Sequence, residues 1–134
     1  MNKKRTVQEI KQDLKDLDKY KVVVFGGYCT SYFNQRSDID IAIITQEQDP
    51  QKNRTILFDL FAFQKPPYEF HVFELLPLHV KIEVIKNHSM IFGNETNLAE
   101  YFYHFRKLWK DQEPRYKQNL LYSMSQKVGM VNEK

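Results

Sequence analysis

The chain has 134 residues, of which 42% are hydrophobic and 14% aromatic, with a formal net charge of +3. That apolar content excludes a disordered polypeptide, and the length suits one domain with its own core rather than two. No apolar run approaches the roughly 20 residues that span a bilayer, and a lone Cys29 excludes an intrachain disulfide framework.

The opening residues, MNKKRTVQEI, are charged and carry no signal-peptide core, so a soluble cytoplasmic protein is expected. Thr6-Val7-Gln8-Glu9 fits a capping box, and Val7, Ile10, Leu14 and Leu17 repeat at helical spacing, predicting a first helix to about Asp18. Lys21–Phe25 is short and β-branched and reads as a buried strand. A short helix over Tyr28–Phe33 and a loop over Asn34–Ser37 lead to a second strand, Ile39–Ile44. Pro50 opens a helix marked by Ile56, Leu57, Leu60, Phe61 and Phe63, running to about Gln64 before Lys65-Pro66-Pro67 breaks it.

Tyr68–Leu75 alternates as a third strand, with Glu69, His71 and Phe73 on one face and Phe70, Val72 and Glu74 on the other. Glu74 reads as solvated. Pro77–Asn87 is helical in pattern, and Met90-Ile91-Phe92 is a short extended piece ended by Gly93. Leu98, Tyr101, Phe102, Phe105, Leu108 and Trp109 mark the clearest amphipathic helix. Pro114 is expected to stop it, Arg115–Met124 to form one more helix, and the last ten residues to be loose. The expected fold class is α/β (α+β), a small mixed β-sheet flanked by helices. It forms a single domain, 1–134, with a core over about 6–109 and a C-terminal extension over 114–134.

The chemistry gathers around Gly26-Gly27 and, ten residues later, Asp38-Ile39-Asp40. Glycines let the backbone come close to a phosphate, and helix-start amides point at its oxygens. Strand residues two apart face the same way, so Asp38 and Asp40 can converge on one divalent cation. A phosphate cradle facing an acidic metal site is the minimum equipment for nucleotidyl transfer. His79, His88 and His104 lack metal-ligand spacing with one another and read as surface or helix-face residues; Cys29 reads as packing.

The run FGGYCTSYFNQRSDIDIAII resembles the signature of the polymerase-beta-type nucleotidyltransferases, and the chain's size points to their minimal (MNT) branch. The resemblance extends from about Thr6 to Trp109. It implies a metal-dependent enzyme, using Mg²⁺ or Mn²⁺, that transfers a nucleoside monophosphate to an acceptor hydroxyl. AMP from ATP is the first choice, with other nucleoside triphosphates as possible substrates. By position, Asp38 and Asp40 match the first two metal-holding carboxylates, and Gly26 and Gly27 match the phosphate-contacting pair. Ser37 matches a serine that often precedes the aspartates, and Tyr28 a position used for phosphate or substrate contact.

The smallest relatives are usually encoded beside an all-helical HEPN partner, and some act as antitoxins by adenylylating a tyrosine on it. The resemblance therefore implies a protein acceptor supplied by a HEPN-type partner. A homodimer through the Tyr101–Trp109 stripe is left open, and a nucleic-acid partner is not expected, since no separate basic binding domain exists.

Two positions depart from the family pattern. Gly26-Gly27 stands where many small relatives have Gly-Ser, and alignment puts His71 where the third carboxylate belongs. Glu69, two residues earlier on the same face, is the substitute carboxylate, while His71 suits a general base or a ligand for Mn²⁺ or Zn²⁺ better than for Mg²⁺. The competing reading is a catalytically silent member that binds nucleotide or a partner protein, and His71 is the residue that supports it.

Overall fold

The computed structural model describes residues 5–30, 38–63 and 66–132, with side chains through 125. The capping box forms as its sequence dictates. Thr6 Oγ1 accepts the Glu9 amide at 3.1 Å, and Glu9 Oε1 accepts the Thr6 amide at 3.3 Å. Helix α1, Val7–Asp13, is shorter than its periodicity predicts. Beyond Leu14 the backbone tightens into a 3-10 turn, Lys15–Leu17, which still buries Ile10, Leu14 and Leu17 together.

Four strands form one mixed sheet in the order β3-β2-β1-β4: β1 is Lys21–Phe25, β2 Ile39–Ile44, β3 Tyr68–Val72 and β4 His88–Phe92. Strand β1 runs antiparallel to β2 and β4, whereas β2 and β3 are parallel. A parallel pair needs a crossover. Helix α2, Pro50–Leu60, supplies it, with Asp49 capping its start and Pro50 in the first turn.

Strands β1 and β2 are apolar because helices cover both faces of the sheet. On one face Val22, Val24, Ile39, Ile41, Ile43, Phe70 and Val72 pack with Ile10, Leu14 and Leu60. On the other, Val23, Phe25, Ala42 and Ile44 meet Ile82, Val84 and Ile85 of α3 (Leu78–Lys86) and Leu98 and Phe102 of α4 (Glu95–Asn132).

Several expectations are corrected. The third strand ends at Val72, and Phe73–Leu75 is a 3-10 turn. The reason is packing. Phe73 leaves the strand alternation and enters the second core, fully buried, with its ring 5.3 Å from those of Phe102 and Phe105. Burying a phenylalanine is worth about 2–3 kcal/mol, more than the sheet gains from two further residues at its edge. Glu74 is not simply solvated. Its carboxylate accepts from the Thr45 amide at 3.1 Å, the Gln46 amide at 2.9 Å and the Tyr101 hydroxyl at 2.7 Å. It thereby closes the end of β2, where Gln46 takes a φ of 57°.

Pro114 does not stop the last helix. α4 runs from Glu95 to Asn132 with Pro114 inside it, absorbing the expected separate helix over Arg115–Met124 and most of the expected loose tail. The amide that proline lacks falls on an exposed stretch, where water can satisfy the Lys110 carbonyl. Side chains brace the same turn: Trp109 Nε1 donates to Glu113 at 2.6 Å, and the Trp109 and Tyr116 rings lie 5.4 Å apart.

Smaller differences concern element ends. Gly26–Cys29 is a 3-10 turn rather than the start of a longer helix, α2 gives way to a 3-10 turn at Phe61–Phe63, and β4 begins at His88. The expected helix end at 31–33, the loop at 34–37 and the helix end at Gln64 lie outside the described residues. Among the described residues no helix is long and apolar enough to cross a membrane.

Candidate active site

Strand β1 ends at Phe25, and the chain turns at Gly26 with φ +70°. Only glycine suits this position for two reasons. The left-handed conformation strains any other residue, and a Cβ here would lie 2.6 Å from Asp40 Oδ2. The sheet register explains the proximity, since Phe25 stands opposite Asp40 on the neighbouring strand.

The parallel pairing of β2 with β3 extends the row. Asp40 is level with Glu69 and Ala42 with His71. Alternation puts Asp40, Ala42, Glu69 and His71 on the face that carries Val23 and Phe25. There the apolar second core gives way to a polar end. His71 Nε2 lies 3.4 Å from Asp40 Oδ1 and 3.8 Å from Glu69 Oε1. One donor atom from each of the three residues falls within 4.8 Å of the others. The side chains of Asp40 and His71 are 29% and 27% exposed and that of Glu69 49%, enough for a ligand to enter and little enough to hold them.

Two apolar neighbours shape the cluster. The Phe25 ring meets the His71 ring edge-on, with centroids 5.6 Å apart. Ala42, fully buried, is small enough to leave room beside His71. Sequence reasoning named neither residue as part of the site. The available signal was register: once β1, β2 and β3 are aligned on the glycine turn, positions 25 and 42 must flank the acidic group.

Asp38 sits one residue before β2, exposed, and its carboxylate is outside the three-residue cluster. The adjoining amide of Ile39 donates to the Pro67 carbonyl at 2.7 Å, tying this corner to the start of β3. Gly27 is exposed, with open space where a side chain would stand. Tyr28 is packed into the first core, and its hydroxyl donates to the Arg5 carbonyl; burial raises its pKa. Ser37 lies outside the described residues.

The other candidates have packing roles. His88 Nδ1 faces the Val84 and Ile85 carbonyls at 3.0 and 3.1 Å, while Nε2 lies 2.7 Å from Glu95 Oε1. His79 stacks on Tyr116 with centroids 5.0 Å apart, and Cys29 packs against the first core.

Two carboxylates and an imidazole with donor atoms within 4.8 Å of one another, backed by a glycine turn, suit a divalent cation and a bound phosphate. The sequence pattern of the nucleotidyltransferase domain family matches residues 7–92, which include all of these site residues. A protein of Methanocaldococcus jannaschii named as a protein adenylyltransferase is 37% identical over 109 residues, covering 81% of this chain and 84% of that one. Two solved structures share the fold at low identity. A chain of a toxin–antitoxin crystal structure with AMP-PNP matches with TM-score 0.67 and 14% identity, over 90% of this chain and 99% of that one. A chain of the complex between tri-AMPylated Shewanella oneidensis HEPN toxin and its MNT antitoxin matches with TM-score 0.60 and 13% identity, over 88% and 95%.

Proposed function

The chain belongs to the nucleotidyltransferase domain family, and from that premise we propose that it transfers AMP from ATP to a hydroxyl on a HEPN-type partner protein. The observation that carries the reading is the convergence of Asp40, Glu69 and His71 beside Gly26. The relative named as a protein adenylyltransferase supports a protein acceptor, and the AMPylated toxin complex supports both the adenylyl group and the kind of partner. ATP consumption suits the cytoplasm.

Asp40, joined by Glu69 and His71 and by Asp38 two residues before it, would hold a divalent cation, Mg²⁺ or Mn²⁺, which when bound supplies positive charge to offset the triphosphate. The protein's own groups do the rest. The Gly26–Gly27 turn admits phosphate oxygens close to the backbone, since neither residue presents a side chain. Asp40 is held in place by its 3.4 Å contact with His71 and by the backbone of Gly26 behind it. Phe25 fixes the imidazole edge-on, so the cluster is preorganised before substrate arrives. Glu69, the most exposed of the three, would turn one carboxylate oxygen to the cation and leave the other to take the proton from the incoming hydroxyl. The hydroxyl oxygen bonds to the α-phosphorus, the bond to the β-phosphate bridge breaks, and pyrophosphate leaves.

The test is label transfer from α-labelled ATP, with Mg²⁺ or Mn²⁺, in lysate of cells lacking this gene. Native protein, Asp38→Ala and Asp40→Ala are compared. A labelled protein band that requires both aspartates establishes the activity and displays the acceptor. Folded native protein that labels nothing with either cation refutes the proposal and leaves a silent partner-binding module.

A further inference from the structure

His71 stands where a third carboxylate would complete an all-oxygen cation site, and it is not displaced from the cluster. Its Nε2 faces both Asp40 and Glu69, at 3.4 and 3.8 Å. Donor atoms that share one cation at 2.0–2.2 Å stand about 3.0–3.4 Å apart when adjacent. The Asp40–His71 separation already meets that spacing. The Glu69–His71 separation needs a few tenths of an ångström, within reach of a half-exposed glutamate.

The surroundings fix imidazole here. His71 follows Glu69 by two on β3, Ala42 beside it is small, and the Phe25 ring stands against its edge. A nitrogen donor changes what the site prefers. Mg²⁺ demands hard oxygen ligands in near-ideal octahedral geometry, whereas first-row transition cations accept imidazole readily alongside carboxylates.

We propose that Asp40, Glu69 and His71 form a mixed carboxylate–imidazole site that selects a first-row transition cation over Mg²⁺, with the His71 nitrogen as a direct ligand. This deepens the nucleotidyltransferase reading and rests on it for the presence of a cation. Its test, however, uses nucleotide-free protein and no turnover.

The probe is Mn²⁺, followed by electron paramagnetic resonance on the full chain with Mg²⁺ as competitor. Native protein should retain Mn²⁺ against excess Mg²⁺, and its spin-echo spectrum should show modulation from an imidazole nitrogen. His71→Gln should lose that modulation and bind Mn²⁺ at least about tenfold more weakly, the lower end of what disturbing a ligand shell costs. His71→Asp should shift the Mn²⁺ to Mg²⁺ preference toward Mg²⁺ by about tenfold or more. Circular dichroism confirms that each variant is folded; should neither fold, the native spectrum decides alone. Bound Mn²⁺ without nitrogen modulation, or an unchanged preference in His71→Asp, overturns the proposal. Nitrogen-ligated Mn²⁺ without label transfer sinks the enzymatic reading alone, whereas label transfer without a nitrogen ligand sinks this one alone.

Discussion

Gly26 offers the sharpest test of how the site is built, because one substitution there loads two separate strains. Gly26→Ala forces an alanine to φ +70°, a left-handed conformation that costs about 1–2 kcal/mol for a residue with a Cβ. The same Cβ would also lie 2.6 Å from Asp40 Oδ2 and 3.5 Å from its Cγ. The carboxylate must therefore swing away and give up its contact with His71, at a further cost of about 1 kcal/mol. The sum is about 2–3 kcal/mol, which lowers the urea midpoint by about 1–1.5 M at an m-value near 2 kcal/mol per M. Gly27→Ala is the internal control: its φ is not in the left-handed region, and its Cβ meets nothing within 4 Å. A cycle with Asp40→Ala separates the two strains. With Asp40 truncated, only its Cβ remains near the new methyl, at 3.7 Å. Removing the clash should then appear as a coupling of about 1 kcal/mol, while the backbone share persists. If Gly26→Ala proves no more destabilising than Gly27→Ala, the close packing of the turn on Asp40 is refuted.

Other consequences are open to direct measurement. Glu74→Ala strips the acceptor from two amides and the Tyr101 hydroxyl, and should lower unfolding free energy by about 2–3 kcal/mol in urea titration. Burial, and then hydrogen bonds to Asp13 and Glu74, raise the pKa values of Tyr68 and Tyr101 above the ordinary 10.0. The unfolded chain therefore releases phenol protons that the folded chain keeps, so this stability is fully present below pH 10 and falls as pH rises beyond it. The urea midpoint should drop in that range, and Tyr101→Phe should flatten the drop. Pro114→Ala removes a residue about 3 kcal/mol less favourable than alanine in a helix interior, so amide exchange in residues 115–125 should slow markedly; unchanged exchange would mean that the proline costs the helix nothing.

Local chemistry made much of this protein readable. The capping box, the β-branched run of β1 and the glycine–aspartate spacing each specify their structure within a few residues, and the sheet follows from them. Failures occurred where distant residues decide. Phe70, Val72 and Glu74 continue a strand alternation on paper, but Phe73 finds three aromatic neighbours on α4 and pulls the backbone out of the sheet. Glu74 looks like any surface glutamate until β2 and α4 bring Thr45, Gln46 and Tyr101 to it. Pro114 reads as a stop because the rule concerns the missing amide alone, and sequence does not reveal whether that turn faces water. At the site, spacing points to Asp40, alignment with the resembled family to His71 and the shared strand face to Glu69. These three come together, whereas the Asp38 carboxylate is outside the cluster and Tyr28 is packed in the core with its hydroxyl on Arg5.

The parallel pairing of β2 with β3 also sets a timetable. Asp40 and His71 belong to strands joined only through the α2 crossover, and β1 is bounded by β4 on its other side. A chain leaving the ribosome presents Asp38 and Asp40 early, yet β3 and β4 must emerge before the sheet can close around them. Contacts this far apart in sequence form late and together, because loop-closure entropy must be overcome before they stabilise anything. Nascent and truncated chains therefore carry the aspartates without the site, and competence arrives only with the completed sheet.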